Sequence, residues 1–330
     1  MTRSAELPQI SVIIPYLDRA SALRQTLLAL AEQTIAPAEF EVIIVDDGSS
    51  PGSLEMIPPL ALPYAWQIVQ QSNQGPGAAR NRGTRQAQAA FYVFLDADMI
   101  PAPVLLEQYR CTHVAHPETI ILGRQLPWPE AFSSSFDQVF NYVAVSDLGP
   151  RPVETRFYYL ASGNMAIGRQ VFVALGGFDE QLRMTEDTDL GYRAWQCGIA
   201  IVYQPAAVGY HNHPKTWDQL CAQQRASAQW QARLMRKHPA IYSQIPAYRE
   251  VEPITLGRDS AYLLLRKAGR WLLATPPFLA VLEKAVRLLR RGTPKPYLLR
   301  FFCYRILTSY RLVGLREGFA RQNLQLSEAR

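Results

Sequence analysis

Cysteine is scarce: the 330 residues hold four, Cys111, Cys197, Cys221 and Cys303, and no two form a C-x-x-C pair. This spacing argues against a zinc site and a disulfide framework, and it fits a reducing, cytoplasmic compartment. Long apolar runs are missing as well. None approaches the roughly 18 uncharged residues that a bilayer span requires. The opening MTRSAELPQISVII lacks the apolar core of a signal peptide. A soluble or peripheral protein is expected, cytoplasmic or on the inner face of the membrane. A third glycine is absent after Gly75-Pro76-Gly77, so the G-x-G-x-x-G signature fails and a dinucleotide fold is disfavoured. Acidic residues are few near the C-terminus. From Thr255 to Arg330 there are 15 Lys plus Arg against 4 Asp plus Glu, a net of +11, so with a total of +6 the preceding residues carry −5.

What is present is a series of buried-strand patterns that end in polar loops. Ile10 to Ile14 stops at Pro15 and is followed by a helical stretch, Ala20 to Glu32. Phe40 to Val45 ends at Asp46 and Asp47, then Gly48-Ser49-Ser50. Trp66 to Gln70 leads into Asn73-Gln74-Gly75 and a helix expected to reach Ala90. Phe91 to Leu95 ends in Asp96-Ala97-Asp98. This order of elements implies a mostly parallel sheet between helices. Open sheets of this kind bind ligands at the carboxyl ends of their strands. Two carboxylates one residue apart suit a hard divalent cation, Mn²⁺ or Mg²⁺, that shares its remaining positions with phosphate and water. The simpler reading of Asp98 is a cap for a helix starting near Pro101 and Pro103. D-D-G-S is also a good turn.

Taken together, these segments resemble the family 2 glycosyltransferases, which share the GT-A fold. The matching pieces are SVIIPYLDR (Ser11 to Arg19), FEVIIVDDGSS (Phe40 to Ser50), NQGPGAARNRG (Asn73 to Gly83) and FLDAD (Phe94 to Asp98). SGNMAI (Ser162 to Ile167), GGFDE (Gly176 to Glu180), EDTDLGYRAWQCG (Glu186 to Gly198), His211 and His213 follow in order. The resemblance implies a GT-A domain over residues 1–250. Its nucleotide-binding half would be about 1–110, its acceptor half about 111–250, and a basic amphipathic helical tail would occupy 251–330. It also implies transfer of one sugar, with inversion, from a nucleotide-sugar donor to an acceptor hydroxyl on a glycan, lipid-linked or small molecule.

By the same resemblance, Asp47 contacts the donor base, and Pro15, Asp18, Asn73 and Gly75 line the nucleotide crevice. Asp96 meets the ribose or the cation, and Asn164 the donor sugar. Asp98, Asp96 and His211 are the implied cation ligands, with His213 in reserve. Asp187 is the implied general base, held as an anion by the start of its helix, and Glu186 places the acceptor. Asp189 and Arg193 would support that helix. The plainer alternative makes Thr185, Asp187 or Asp189 a helix cap. One departure concerns the family's aromatic two residues after Pro15, where Leu17 stands and Tyr16 carries the ring. A one-residue shift on a strand turns a side chain to the opposite face.

Three other functions compete. A glycoside hydrolase would use two carboxylates but leaves the nucleotide loops without purpose. A sugar nucleotidyltransferase would carry a glycine-rich basic loop after its first strand, where PYLDR stands. A silent sugar-binding scaffold would be expected to lose Asp98 or Asp187. The Q-x-x-R-W of processive synthases is absent: Gln223-Gln224-Arg225 is followed by Ala-Ser-Ala-Gln before Trp230.

Residues Phe278 to Arg291 and Tyr297 to Leu315 read as amphipathic helices. Lys284, Arg287, Arg290, Arg291, Arg300, Arg305 and Arg311 border large apolar surfaces. Basic and aromatic together, residues 278–316 suit an anionic membrane surface, or else a helical subdomain packed on itself. Nucleic acid is disfavoured, because too much aliphatic surface interrupts the charges.

Overall fold

The computed structural model describes residues 7–56, 60–131, 147–245, 257, 260–289 and 296–321, without the side chains of 56, 131, 242, 287, 289, 296–300 and 321. The described residues fall into two compact units, 7–131 with 147–213, and 214–321.

In the first unit, β1 (Ile10–Tyr16) lies between β2 (Phe40–Asp46) and β4 (Phe91–Leu95), and β3 (Ala65–Gln70) flanks β2. These four strands are parallel. Side chains along β1 alternate as the pleat requires. Ile10, Val12, Ile14 and Tyr16 join a core with Leu23, Leu27 and Leu30 of α1 (Ala20–Ala31). Ile13 points the other way, against Gly83 of α2 (Pro76–Gln86). Helix α2 stops short of Ala90. The amides of Gln88 and Ala89 donate instead to the side chains of Glu41 and Ser11, which draws the chain into β4.

The rest of the sheet is mixed. After β4 come β5 (Met99–Pro101), α3 (Leu105–Ala115), β6 (Ile120–Pro127), β7 (Val153–Thr155), β8 (Asn164–Gly168) and α4 (Arg169–Ala174). They are followed by α5 (Glu186–Gln196) and β9 (Ile201–His211). Strand β8 inserts antiparallel between β4 and β6, and β9 continues the sheet parallel to β6. Strands β5 and β7 both pair antiparallel with β9. The expected α/β sheet between helices is present, with its parallel strands concentrated at the amino-terminal side.

The second unit is helical: α6 (Trp217–Lys237), α7 (Ile241–Gln244), α8 (Ala261–Leu273), α9 (Pro276–Leu289) and α10 (Pro296–Arg321). Trp217, Leu220 and Cys221 of α6 share a core with Val286 of α9 and with Cys303, Ile306 and Leu307 of α10. Gly314 and Gly318 of α10 let the backbone of α6 approach closely, and Arg225 pairs with Glu317. The contact boundary therefore falls near residue 213 rather than 250, because the apolar face of α6 is covered by the tail helices. Of the basic residues expected on the amphipathic helices, Arg287, Arg290, Arg291 and Arg300 have side chains outside the described set. No helix among the described residues is long and apolar enough to cross a membrane.

Candidate active site

Strand β4 ends by handing Asp96 and Asp98 to a loop fixed on two sides. The Asp96 amide donates to the Gly163 carbonyl at 3.1 Å. Glycine at 163 leaves room for the Asp96 carboxylate, since a Cβ there would lie 2.5 Å from Asp96 Oδ2 and push the side chain aside. Met99 pairs with His211 across β5 and β9, and the Asn212 amide donates to the Asp98 carbonyl at 2.7 Å. This pairing sets His211 Nε2 3.6 Å from Oδ1 of the buried Asp98. Oδ2 of Asp98 takes an ion pair from Arg19. The helix-cap reading of Asp98 fails, because β5 intervenes and α3 begins only at Leu105.

Arg80 ties this loop to the start of α5. Its side chain is 3 % exposed, and it donates through Nη2 to Asp96 Oδ1 at 2.6 Å and through Nη1 to Glu186 Oε1 at 2.8 Å. The guanidinium also lies over the Phe178 ring, 5.5 Å from its centroid. Burial alone would lower the Arg80 pKa; the charges of Asp96, Glu186 and Asp187 outweigh it and raise the pKa. The next residue, Asn81, locks the backbone of Phe178 in both directions, accepting from its N–H and donating to its carbonyl. Replacing Arg80 by Ala strands the buried Glu186 carboxylate without a counter-charge, while Asp96, 37% exposed, can return to water; the expected cost is about 3 kcal/mol. Denaturant unfolding checks this, and a loss below about 1 kcal/mol would show the cluster tolerates its own repulsion.

Asp187 sits one residue into α5, behind Thr185, which adopts a left-handed φ of 71° and makes no side-chain cap. A β-branched residue in that region is strained, and such strain concentrates at functional sites. Burial first, then the charge of Glu186, push the Asp187 carboxyl up to about 7, against the Thr188 amide and Arg80. The helix start was expected to hold Asp187 as a ready anion; desolvation and a like charge win instead. Glu186 is 6 % exposed, and its Oε1 is engaged by Arg80. Asp189 pairs with Arg193, which also donates to the carbonyls of Leu175 and Gly177.

The remaining residues expected at the donor crevice lie at or just beyond the carboxyl ends of β1, β2 and β3, or at the start of β8. Pro15 pairs with Val45 but lies beyond the β4 register, so its missing N–H costs no ladder bond there. Tyr16 is buried on the α1 side and bonds to Ser53, consistent with the shifted ring pointing away from the crevice. Asp18 accepts from the Ser50 amide at 2.7 Å. Asp47 accepts from Gln71, the Gln74 amide and the Gly75 amide, each at 2.8 Å. Three of its lone pairs already hold the loop, which leaves room for one further donor. Asn73 is clasped by Arg183. Asn164 corrects its expected role. It is 0 % exposed, donates to the Arg124 and Ala207 carbonyls and accepts from Tyr109, so it braces the sheet and cannot reach a sugar as it stands.

Among the described residues, no group of three or more His, Cys, Asp and Glu is gathered as a self-contained metal cage. Arg80 draws Asp96 toward Glu186 and Arg19 occupies an oxygen of Asp98, so the expected trio of Asp96, Asp98 and His211 is reduced to a pair. That pair fits a cation whose other positions come from phosphate and water, the usual arrangement for small hard ions. Arg19 and Arg80 escaped the sequence reasoning as site residues, although both lie within segments that carried the resemblance.

Residues 11–129 match the sequence profile described as Glycosyl transferase family 2. Validoxylamine A glucosyltransferase of Streptomyces hygroscopicus subsp. limoneus is 26% identical over 273 residues, which cover 73% of this chain and 59% of the relative. The chain thus spans about three fifths of that relative's length. Among solved structures, the mannosyltransferase PcManGT from Pyrobaculum calidifontis superposes with a TM-score of 0.58 at 18% identity, covering 92% of this chain and 86% of that one. S. aureus TarS 1-349 gives 0.52 at 20% identity, covering 96% and 92%. With its ordered motifs, its sheet and these matches, residues 11–129 carry a family 2 glycosyltransferase segment and the chain has the GT-A fold.

Proposed function

We propose that this protein is an inverting, cation-dependent glycosyltransferase that moves one sugar from a nucleotide-sugar donor to an acceptor hydroxyl. The observation that carries the reading is Arg80, hydrogen-bonded at once to Asp96 and Glu186, which joins the donor loop and the base helix in one charged cluster. Asp187, with its carboxyl raised to about 7, is matched to accept a proton near neutral pH. The acceptor oxygen attacks the anomeric carbon as the bond to the diphosphate breaks. The hydroxyl proton passes to Asp187, and the bonding electrons leave with the nucleoside diphosphate. Attack from the face opposite the leaving group inverts the anomeric centre.

Asp98 and His211 would hold a Mn²⁺ or Mg²⁺ ion, which when bound supplies Lewis-acid neutralisation of the diphosphate. The solved relatives support this donor class: one is described with GDP-Man and Mn²⁺, another with UDP. Asp47 would offer its remaining lone pair to the base, with Pro15, Asp18, Asn73 and Gly75 shaping the crevice. The basic helical unit would hold the enzyme at an anionic membrane surface, close to lipid-linked acceptors.

A panel of UDP-, TDP- and GDP-sugars, each with and without Mn²⁺, tests the proposal by release of nucleoside diphosphate. One donor is expected to be consumed only with the cation. If the nucleotide sugars are instead made from sugar phosphate and nucleoside triphosphate, the chain is a nucleotidyltransferase. Binding without turnover of any donor would favour the scaffold.

A further inference from the structure

In the helical unit, nine of the eighteen large apolar side chains exposed among the described residues lie between Tyr262 and Tyr304. Part of this surface forms a groove of 780 Å³ between α8, α9 and α10, a size typical of small-ligand sites. Tyr262, Leu265 and Phe301 give it apolar walls, each more than half exposed. Arg266, Arg270 and Arg305 also line it, and among the described residues no acid does. Arg266 lies over Tyr262 and Arg305 over Phe301, at 5.4 and 5.2 Å from the ring centroids, so cations and aromatic faces alternate along the wall.

Gly269 lies on the same stripe of α8 and has nothing within 4 Å of where a Cβ would stand. Glycine inside a helix weakens it relative to any ordinary residue. Here it leaves the groove open where a side chain would fit.

We infer that this groove seats the phosphate-bearing headgroup and upper chain of an anionic phospholipid. The inference rests on the proposal that the helical unit meets a membrane, and it locates the contact on α8 and α10. The apolar walls match acyl chain and the arginines match phosphate, which Arg binds through a planar fork of donors. A second copy is a poor occupant, because a twofold contact sets the same patch against itself and so brings arginine against arginine. An acidic peptide would leave the exposed Leu and Phe surface unsatisfied.

The test is co-sedimentation of the full-length protein with vesicles of phosphatidylcholine alone or mixed with phosphatidylglycerol. Wild type is expected to pellet with the mixed vesicles and to be released by salt. Gly269→Leu fills the groove without altering charge and is expected to weaken binding about tenfold while leaving the melting temperature unchanged or higher. Arg266→Gln with Arg270→Gln is expected to weaken it roughly 25-fold, at about fivefold per charge. Three results would overturn the inference: wild type that stays in the supernatant, variants that bind as wild type does, or millimolar inorganic phosphate that fully displaces the vesicles at constant ionic strength. Light scattering that finds a dimer broken by Gly269→Leu would assign the groove to a second copy. Donor hydrolysis, read on the same samples, separates the outcomes: its loss in wild type counts against the transferase proposal, whatever the vesicles do.

Discussion

Asp187→Asn is expected to lower kcat by about 10²–10⁴-fold, the usual contribution of a positioned general base, while the nucleoside diphosphate still binds. In wild type, with cation saturating, kcat/KM should rise with pH through about 7, where the Asp187 carboxyl ionises; the variant should lose that limb. Stability should move the opposite way. The carboxyl is raised from 3.8 to about 7, so between those values the native state binds more protons than the unfolded chain. Stability therefore falls as pH rises through that window. Above it the ionised group disfavours the fold, so the variant should melt higher than wild type at pH 8 and differ little near pH 4. Near wild-type turnover in the variant would end the base assignment, and Glu186 and Asp189 would need examination.

Asp98→Ala is expected to abolish cation-dependent binding of the nucleoside diphosphate. The described residues hold no cage of their own, so the ion needs protein and phosphate together, and removing the buried carboxylate leaves His211 alone. His211→Ala should weaken the same binding less, and His213→Ala should do little. The fold itself should survive. Arg19, the partner of Asp98, is 43% exposed in its side chain and can return to water, and pairs of that kind contribute about 0–1 kcal/mol. Calorimetry with and without EDTA reads the effect. Binding that ignores EDTA in wild type would refute the role given to Asp98.

Much of this was legible along the chain. Apolar runs that stop at Pro15 or at acids marked β1, β2 and β4 and the edge at which their loops converge, because a strand buried on both faces reads as a near-continuous apolar run. Motif order singles out Asp96, Asp98 and Asp187, and the fold links Asp96 to the start of α5, where Asp187 lies, through Arg80 and Glu186. Arginine was misjudged. A guanidinium is rarely buried unless paired, and only the meeting of α2, β4 and α5 reveals that Arg80 has two carboxylates to bury it against. Asn164 was misjudged for the converse reason: its motif is shared with a sugar pocket, but its three partners come from α3, β6 and β9. The contact boundary near residue 213 was not legible, because the apolar stripe of α6 does not say which helix will cover it.

The insertion of β8 beside β4 also bears on how the chain reaches its native state. Phe91 pairs with Gly168 and Leu95 with Asn164, so β4 waits some seventy residues of synthesis for its second neighbour. Until then its edge is an open row of peptide groups beside apolar side chains, the kind of template on which nascent chains associate. Sequence-distant pairing of this kind also slows folding. The family match ends at residue 129, before that neighbour is made. A fragment cut there, though it would carry Asp47, Asp96 and Asp98, should aggregate on release from the ribosome, whereas one that runs through His211 closes the sheet.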